Sequence, residues 1–317
     1  MAPLPRLVPM LATPGSLPPS RSEHLWSAET KYDGQRALIY LPGDHTLLIR
    51  SRSGDDITAA YPELHALADT LGGVPRVFDG EIVVLDEAGR PDFERLQPRM
   101  GLAGSPAKAA RLAARAPVHL ILFDVLFSAG QDLTGLPYVR RREVLEQLVD
   151  AGPTWSVPGA VAGHSRETLE FAREHGLEGI VLKRLDSVYE PGRRSPNWVK
   201  IRNVRTLDVV IGGWLPGHGR LTGLPGAVLA GQYEDGVLAY RGSVGTGWNE
   251  RERADLAHLL GIAAMDECPF TPVPAVPGAR WVLPRLVAEV RYTALTRAGL
   301  LRHPVWHRLR PDLAPDG

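Results

Sequence analysis

Glu29-Thr30-Lys31-Tyr32-Asp33-Gly34-Gln35-Arg36 decides how the rest of the chain is read. It holds one of only four lysines (Lys31, Lys108, Lys183 and Lys200), set against 32 arginines. A chain this rich in Arg uses guanidinium wherever a generic positive charge suffices. A retained Lys points to a need for an amine, which can lose its proton and attack while a guanidinium stays charged. Lys31 is therefore the candidate nucleophile.

Composition narrows the field. A length of 317 residues suits two domains. The apolar fraction of 44% permits real cores, and the formal net charge is zero, so nucleic-acid binding must rest on local patches. A single cysteine, Cys268, excludes a disulfide framework and a multi-cysteine zinc site. The histidines lack metal-ligand spacing, and no apolar run nears the roughly 20 residues of a membrane span. The expectation is a soluble cytoplasmic monomer.

The pattern is α+β. Residues 1–22 form a Pro-rich arm, apolar enough at Leu7, Val8, Met10 and Leu11 to dock or else remain disordered. A hairpin is expected over 37–49, helices over 61–71, 92–100, 137–150 and 166–175, and strands over 77–85, 118–127, 179–183 and 198–201. Beyond about 203, short strands at 207–214, 226–233, 237–244, 280–283 and 286–294 surround one helix at 249–260. That order suggests a Greek-key barrel such as an OB-fold, with a hinge near 203–206 and a basic tail at the end. The domain division expected is 1–203 and 204–317.

Four short motifs carry chemistry: Lys31–Arg36, Phe78-Asp79-Gly80-Glu81, Glu178–Lys183 and Trp198-Val199-Lys200-Ile201-Arg202. Each alone reads equally well as a polar turn, a bulge in an edge strand or a strand with charged ends. Together they hold three of the four lysines beside Glu81 and Glu178. Such a set suits attack on a nucleotide phosphate, with cations on the developing oxyanions and carboxylates for a divalent metal. Phe123, at the end of an apolar strand, is either a base-stacking platform or core.

With Arg50–Arg52 and Leu122–Phe127, these motifs occur in an order that resembles the covalent nucleotidyltransferases. The likeness is nearest to bacterial ATP-dependent DNA ligases: the ligase domain of the multifunctional end-joining ligase and stand-alone actinobacterial relatives. It extends to Tyr61-Pro62-Glu63-Leu64, Pro91-Asp92-Phe93, Tyr189–Ser195, Val244–Gly247 and Leu301–Pro304, roughly residues 6–312. The resemblance implies an adenylyltransferase domain (ATP-grasp-like, antiparallel sheets with flanking helices) plus a C-terminal OB-fold barrel. It implies nick sealing through lysyl-AMP on Lys31 and a DNA-adenylate, in DNA repair, with ATP as substrate and Mg2+ or Mn2+ as metal. Glu29 and Thr30 would lie beside the adenine, Arg36 and Glu81 on the ribose, and Phe123 on the base. Trp198 would also line the nucleotide site. Arg52 would meet the nick's 5′-phosphate or the AMP phosphate. Lys183, Arg194, Arg202 and the catalytic Lys200 would contact phosphates, and Glu178, with Glu81 second, would bind the metal.

Two departures stand out. Arg202 occupies a position where the family often has Lys. The tail reads Arg310-Pro311-Asp312-Leu313, without the family's terminal Lys, leaving Arg302, Arg308 or Arg310 to compensate. Nicked duplex DNA is the expected partner, with a repair polymerase or end-binding protein lending affinity that a chain without an extra DNA-binding domain lacks. Arg184, Arg193, Arg194, Arg202 and Arg205 flank the site. Arg95, Arg99, Lys108, Arg111 and Arg115 form a second basic segment that reads equally as DNA contact or solvated helix face. The alternatives are an RNA ligase or GTP-using capping-type enzyme, and a nick- or end-binding protein without catalysis.

Overall fold

The computed structural model describes residues 4–315. These fall into two compact units that divide between Asn203 and Val204. The first contains strands β1 (Leu11–Pro14), β2 (Trp26–Thr30), β3 (Gln35–Leu41), β4 (Leu48–Ser51), β5 (Arg76–Val84), β6 (Val118–Ser128), β7 (Gln131–Asp132), β8 (Trp155–Ser156), β9 (Ala160–Ala162), β10 (Gly179–Arg184) and β11 (Arg194–Arg202). Its helices are α1 (His65–Leu71), α2 (Phe93–Leu96), α3 (Pro106–Arg115), α4 (Tyr138–Leu148) and α5 (Ser165–Glu174).

Two sheets share the work. One runs β1-β11-β10-β2-β9 and the other β4-β3-β5-β6-β7, with β8 beside β6. Because side chains alternate along a strand, each sheet has two apolar faces to cover. Ala28, Ile180, Leu182 and Ile201 of the first sheet pack against Ala172 of α5. Ile39, Phe78, Ile82, Leu120 and Leu122 of the second pack against helical residues including Leu67, Ala109 and Leu145. The remaining faces meet each other through Met10, Leu38, Tyr40, Val77, Leu126, Tyr189 and Trp198.

Several elements differ from the sequence pattern for physical reasons. The Pro-rich arm docks: Met10 is fully buried, and Leu11–Pro14 pairs in parallel with β11, an edge position that tolerates Pro. The helix expected over 61–71 is helical only from His65, preceded by 3-10 turns at Thr58–Ala60 and Pro62–Leu64. Phe78–Glu81 lies in a central strand, between β3 and β6, rather than at an edge. A register shift at Asp79/Gly80 is nevertheless present. Arg99 is not a surface cation; it is 1% exposed and paired with Glu63.

The second unit is the small curled barrel. Strands β12 (Arg205–Pro216), β13 (Pro225–Glu234), β14 (Val237–Val244), β15 (Ala264–Met265) and β16 (Arg280–Tyr292) form an antiparallel sheet, with β19 (Val305–Leu309) on β16. A two-stranded ribbon, β17 (Ala294–Leu295) and β18 (Leu301–Arg302), precedes β19. Helix α6 (Glu250–Ile262), capped by the Asn249/Glu252 box, lays Leu256 and Leu260 onto Val209, Ile211, Val228 and Val290. The β13–β14 hairpin turns on Asp235 and Gly236, both with positive φ (51° and 78°), as a two-residue turn between twisted strands requires. The two strands expected over 280–294 are one, passing Pro284 where pairing with β12 lapses. The basic tail is β17–β19, not a free extension.

The first unit also buries a complete ion pair: Arg141 Nε and Nη2 donate to Asp124 at 2.8 and 2.9 Å, and both side chains are fully buried. Removing one partner strands a charge in apolar surroundings. Asp124→Ala should therefore lower stability by about 3–5 kcal/mol, read from the denaturant midpoint. An unchanged midpoint would contradict this.

Candidate active site

The strand period places the chemistry. On β10, Ile180 and Leu182 face α5, so Val181 and Lys183 face the opposite way. On β11, Trp198, Lys200 and Arg202 share that face. Register aligns them: Val181 lies between Glu29 and Lys200, and Lys183 is opposite Trp198. Just past β2, Lys31 N–H donates to the Gly179 carbonyl at 2.9 Å. The other sheet contributes Arg36 of β3, Glu81 of β5 and Phe123 of β6, and Arg52 follows β4. Gly34 lets the chain turn between the sheets: a Cβ there would sit 2.3 Å from the Ile82 carbonyl oxygen. The pocket between these strands also takes in Leu11, Ala12, Tyr32 and Arg194.

Three charge networks organise it. Lys31 Nζ pairs with Glu178 Oε2, while Arg202 Nε holds Glu178 Oε1 at 2.9 Å. Deeper in, the fully buried Lys183 ammonium donates to Glu29 (2.8 Å) and to the Phe123 carbonyl (3.1 Å). Tyr138 Oη also donates to Glu29, and Arg142 Nη1 stands 3.8 Å from it. Third, Arg36 grips buried Asp79 through Nε (2.5 Å) and Nη2 (2.6 Å), and Tyr189 Oη donates to the same carboxylate at 2.6 Å. The Arg36 guanidinium and the Lys183 ammonium each lie 4.6 Å from the Phe123 ring centre.

These surroundings shift protonation. Burial pushes the Glu81 carboxyl from 4.5 up to about 7 against the pull of Arg36 and Lys31; Asp79 and Glu178 add to the rise. Burial lowers the Lys183 ammonium against the hold of Glu29. Lys200 is lowered by burial and then by Arg202, Arg194 and Lys31.

Of the residues singled out from sequence, Glu29, Thr30, Lys31, Arg36, Arg52, Glu81, Phe123, Lys183, Arg194, Trp198, Lys200 and Arg202 all line this pocket, and Glu178 joins it through Lys31. Arg194 Nη1 donates to the Ala12 carbonyl. In the second unit, Arg308 pairs with Glu289, and Arg310 pairs with Asp208 and Asp312. Arg302 also has a partner. Sequence reasoning missed Asp79, Tyr138 and Arg142. Asp79 sits inside a quoted motif, so its placement was available; nothing marks the two helical residues as buried.

Seven cations line this pocket with Glu29 and Glu81, and Glu178 and Asp79 pair with three of them, leaving an excess of positive charge that suits a polyphosphate. Buried Trp198 Nε1 has no hydrogen-bond partner, leaving a donor for a ligand. Glu81 and Glu178 are hard oxygen donors of the kind Mg2+ accepts beside substrate phosphates. Among the described residues no cluster of three metal-ligating side chains occurs.

Known proteins are similar to this chain over nearly its whole length. The family model for the ATP dependent DNA ligase domain matches residues 9–202, and that for the ATP dependent DNA ligase C terminal region matches 222–313. The multifunctional non-homologous end joining DNA repair protein LigD of Mycobacterium tuberculosis is 42% identical over 313 residues, covering 98% of this chain and 39% of that protein. A probable DNA ligase of Streptomyces avermitilis is 35% identical, over 96% of this chain and 58% of its own. The chain thus spans about two-fifths of the LigD relative's length. The crystal structure of the M. tuberculosis LigD ligase domain matches with a TM-score of 0.57 at 40% identity, covering 98% of this chain and 96% of that one. A mycobacterial DNA ligase D structure complexed with ATP and MES matches at 0.56, also at 40% identity and with the same coverage. No helix among the described residues is long and apolar enough to cross a membrane.

Glu81 yields a signed prediction. Its folded pKa of about 7 exceeds the ordinary 4.5, so between those values the folded state holds a proton that the unfolded chain has lost. Stability conferred by this group therefore falls as pH rises through that window. Glu81→Gln removes the loss. Its melting temperature relative to the unsubstituted protein should rise from pH 5 to pH 8. A difference that stays flat would contradict the assignment.

Proposed function

Because the chain belongs to the ATP-dependent DNA ligases, enzymes that form phosphodiester bonds at the expense of ATP, we propose that Lys31 is its nucleophile and this pocket its adenylation site. The observation that carries the reading is the position of Lys31: an amine at the pocket wall, paired with Glu178, with Lys200, Arg194 and Arg202 around it. Lys31 Nζ attacks the α-phosphorus of ATP; the N–P bond forms, the bond to the bridging oxygen breaks, and pyrophosphate leaves. AMP then passes to the 5′-phosphate at a DNA nick, and the 3′-hydroxyl displaces it.

Each neighbour has a part in the proposal. Phe123 stacks on the adenine, with Glu29 and Thr30 at its edge. Arg36 and Glu81 hold the ribose, and Trp198 closes the pocket. Asp79 and Tyr189 fix Arg36 for this task. Lys200, Lys183, Arg194 and Arg202 draw phosphate charge, and Arg52 receives the 5′-phosphate of the nick. Attack requires Lys31 to give up its proton and its pairing with Glu178. Glu178, with Glu81 second, would hold Mg2+ or Mn2+, which would neutralise charge developing on the phosphates. Arg202 keeps the Glu178 carboxylate aimed at the pocket when Lys31 leaves it. The setting proposed is cytoplasmic DNA repair by end joining. Nicked duplex is the substrate, the chain acts as a monomer, and a repair polymerase or end-binding protein is the partner.

Incubation with labelled ATP or GTP, then a denaturing gel and a nicked-duplex assay with Mg2+, tests the reading. An AMP adduct and sealed product are expected. A GMP adduct alone would overturn it in favour of a capping-type enzyme, and no product at all in favour of a binding protein. Lys31→Ala should reduce adduct and sealing by more than about a thousand-fold, the scale of losing a nucleophile. Lys31→Arg should be nearly as inert, and an active Lys31→Arg enzyme would sink the assignment.

A further inference from the structure

Helix α3 presents a stripe that the adenylation chemistry does not use. Lys108, Arg111 and Arg115 are all exposed and fall at spacings of three and four, hence on one face. The flank of the helix beside this stripe buries Ala109 and packs Leu112 into the core. None of the three cations has an ion-pair partner among the described residues. From Arg95 to Phe123 the chain contains no Asp or Glu at all, although its net charge is zero. An ordinary solvated helix mixes signs, because like charges three or four residues apart destabilise it by a few tenths of a kcal/mol each. This helix accepts two such repulsions, with an offset only at its last turn, where Arg115 meets the negative end of the helix dipole.

The helix is fixed to the segment that carries Arg52. After Arg52 the chain returns to β4, where Ile57 N–H donates to the Ile49 carbonyl and Thr58 Oγ1 accepts from Ile49 N–H at 2.8 Å. The turn that follows, Thr58–Ala60, packs against α3. One buried guanidinium secures the join. Arg99 donates to the Ala60 carbonyl (2.8 Å), to the Ala116 carbonyl just past α3 (3.0 Å), and to both oxygens of Glu63. Tyr61, the next residue along, donates to Gln35, four residues from Lys31. The stripe therefore rests on a rigid extension of the pocket wall.

We infer that Lys108, Arg111 and Arg115 form a docking surface for the phosphate backbone of the duplex beside the nick. The inference rests on the ligase reading above. The seven-residue rise from Lys108 to Arg115 spans about 10 Å of α-helix, close to three phosphate-to-phosphate steps along one strand at about 3.4 Å of axial rise each. Partly buried Arg95 and fully buried Arg99 are not part of this surface.

The test compares the unsubstituted protein, a Lys108→Gln/Arg111→Gln/Arg115→Gln variant, and a charge-keeping Lys108→Arg/Arg111→Lys/Arg115→Lys variant. Each is measured for binding to nicked duplex across a salt series and for AMP-adduct formation with ATP alone. Each phosphate contact contributes about −0.9 to the slope of log affinity against log salt. The Gln variant should lose about two to three from that slope's magnitude while forming adduct at the normal rate. The charge-keeping variant should retain the full slope. An unchanged slope in the Gln variant, or an equal loss in both variants, overturns the inference. Failure of the unsubstituted protein to form adduct would instead strike at the ligase reading.

Discussion

A buried ammonium at the back of the pocket ties the first unit together. Lys183 lies on β10, its carboxylate partner Glu29 on β2, and its second acceptor, the Phe123 carbonyl, on β6 of the other sheet. Tyr138 and Arg142 of α4 converge on the same carboxylate. A charge taken this far from water costs several kcal/mol unless it is well partnered. The two sheets and α4 must therefore keep the arrangement that partners it. That arrangement sets Phe123 opposite Trp198 and leaves open the gap into which Lys31 projects. Fold and site share one constraint.

The same logic explains why arginine dominates the chain's interior ion pairs. Arg36, Arg99 and Arg141 each grip a carboxylate with two nitrogens and also donate to main-chain carbonyls, Arg36 and Arg99 through nitrogens of the same fork and Arg141 through Nη1. A planar fork satisfies several acceptors at once, which a single ammonium cannot match geometrically. Where lysine is kept at the pocket, at positions 31, 183 and 200, the group is a compact charge whose proton environment can be tuned. Burial lowers two of the three.

Much of the site was legible because its residues alternate with apolar neighbours along strands. In Glu178–Lys183 and Trp198–Arg202, period-2 patterning already separates the α5 face from the pocket face. Asp235-Gly236, between the strands expected at 226–233 and 237–244, likewise marks a hairpin. Other features were hidden for identifiable reasons. Arg99, Arg141 and Arg142 sit in segments that read as solvated, and only tertiary partners reveal that they are buried. Leu11–Pro14 carries no strand signal, since its pairing with β11 is an edge contact that Pro permits. Strand β16 continues past Pro284 because the ladder is already interrupted there. The C-terminal strands are too short and too basic to show a period of their own.

Intact-mass and peptide-mapping spectrometry of the protein after incubation with ATP and Mg2+ most directly tests the central claim. The account predicts a mass increase of one AMP, carried on the peptide containing Lys31 and on its side-chain nitrogen. An AMP on another residue, or no covalent nucleotide on folded protein, would contradict it.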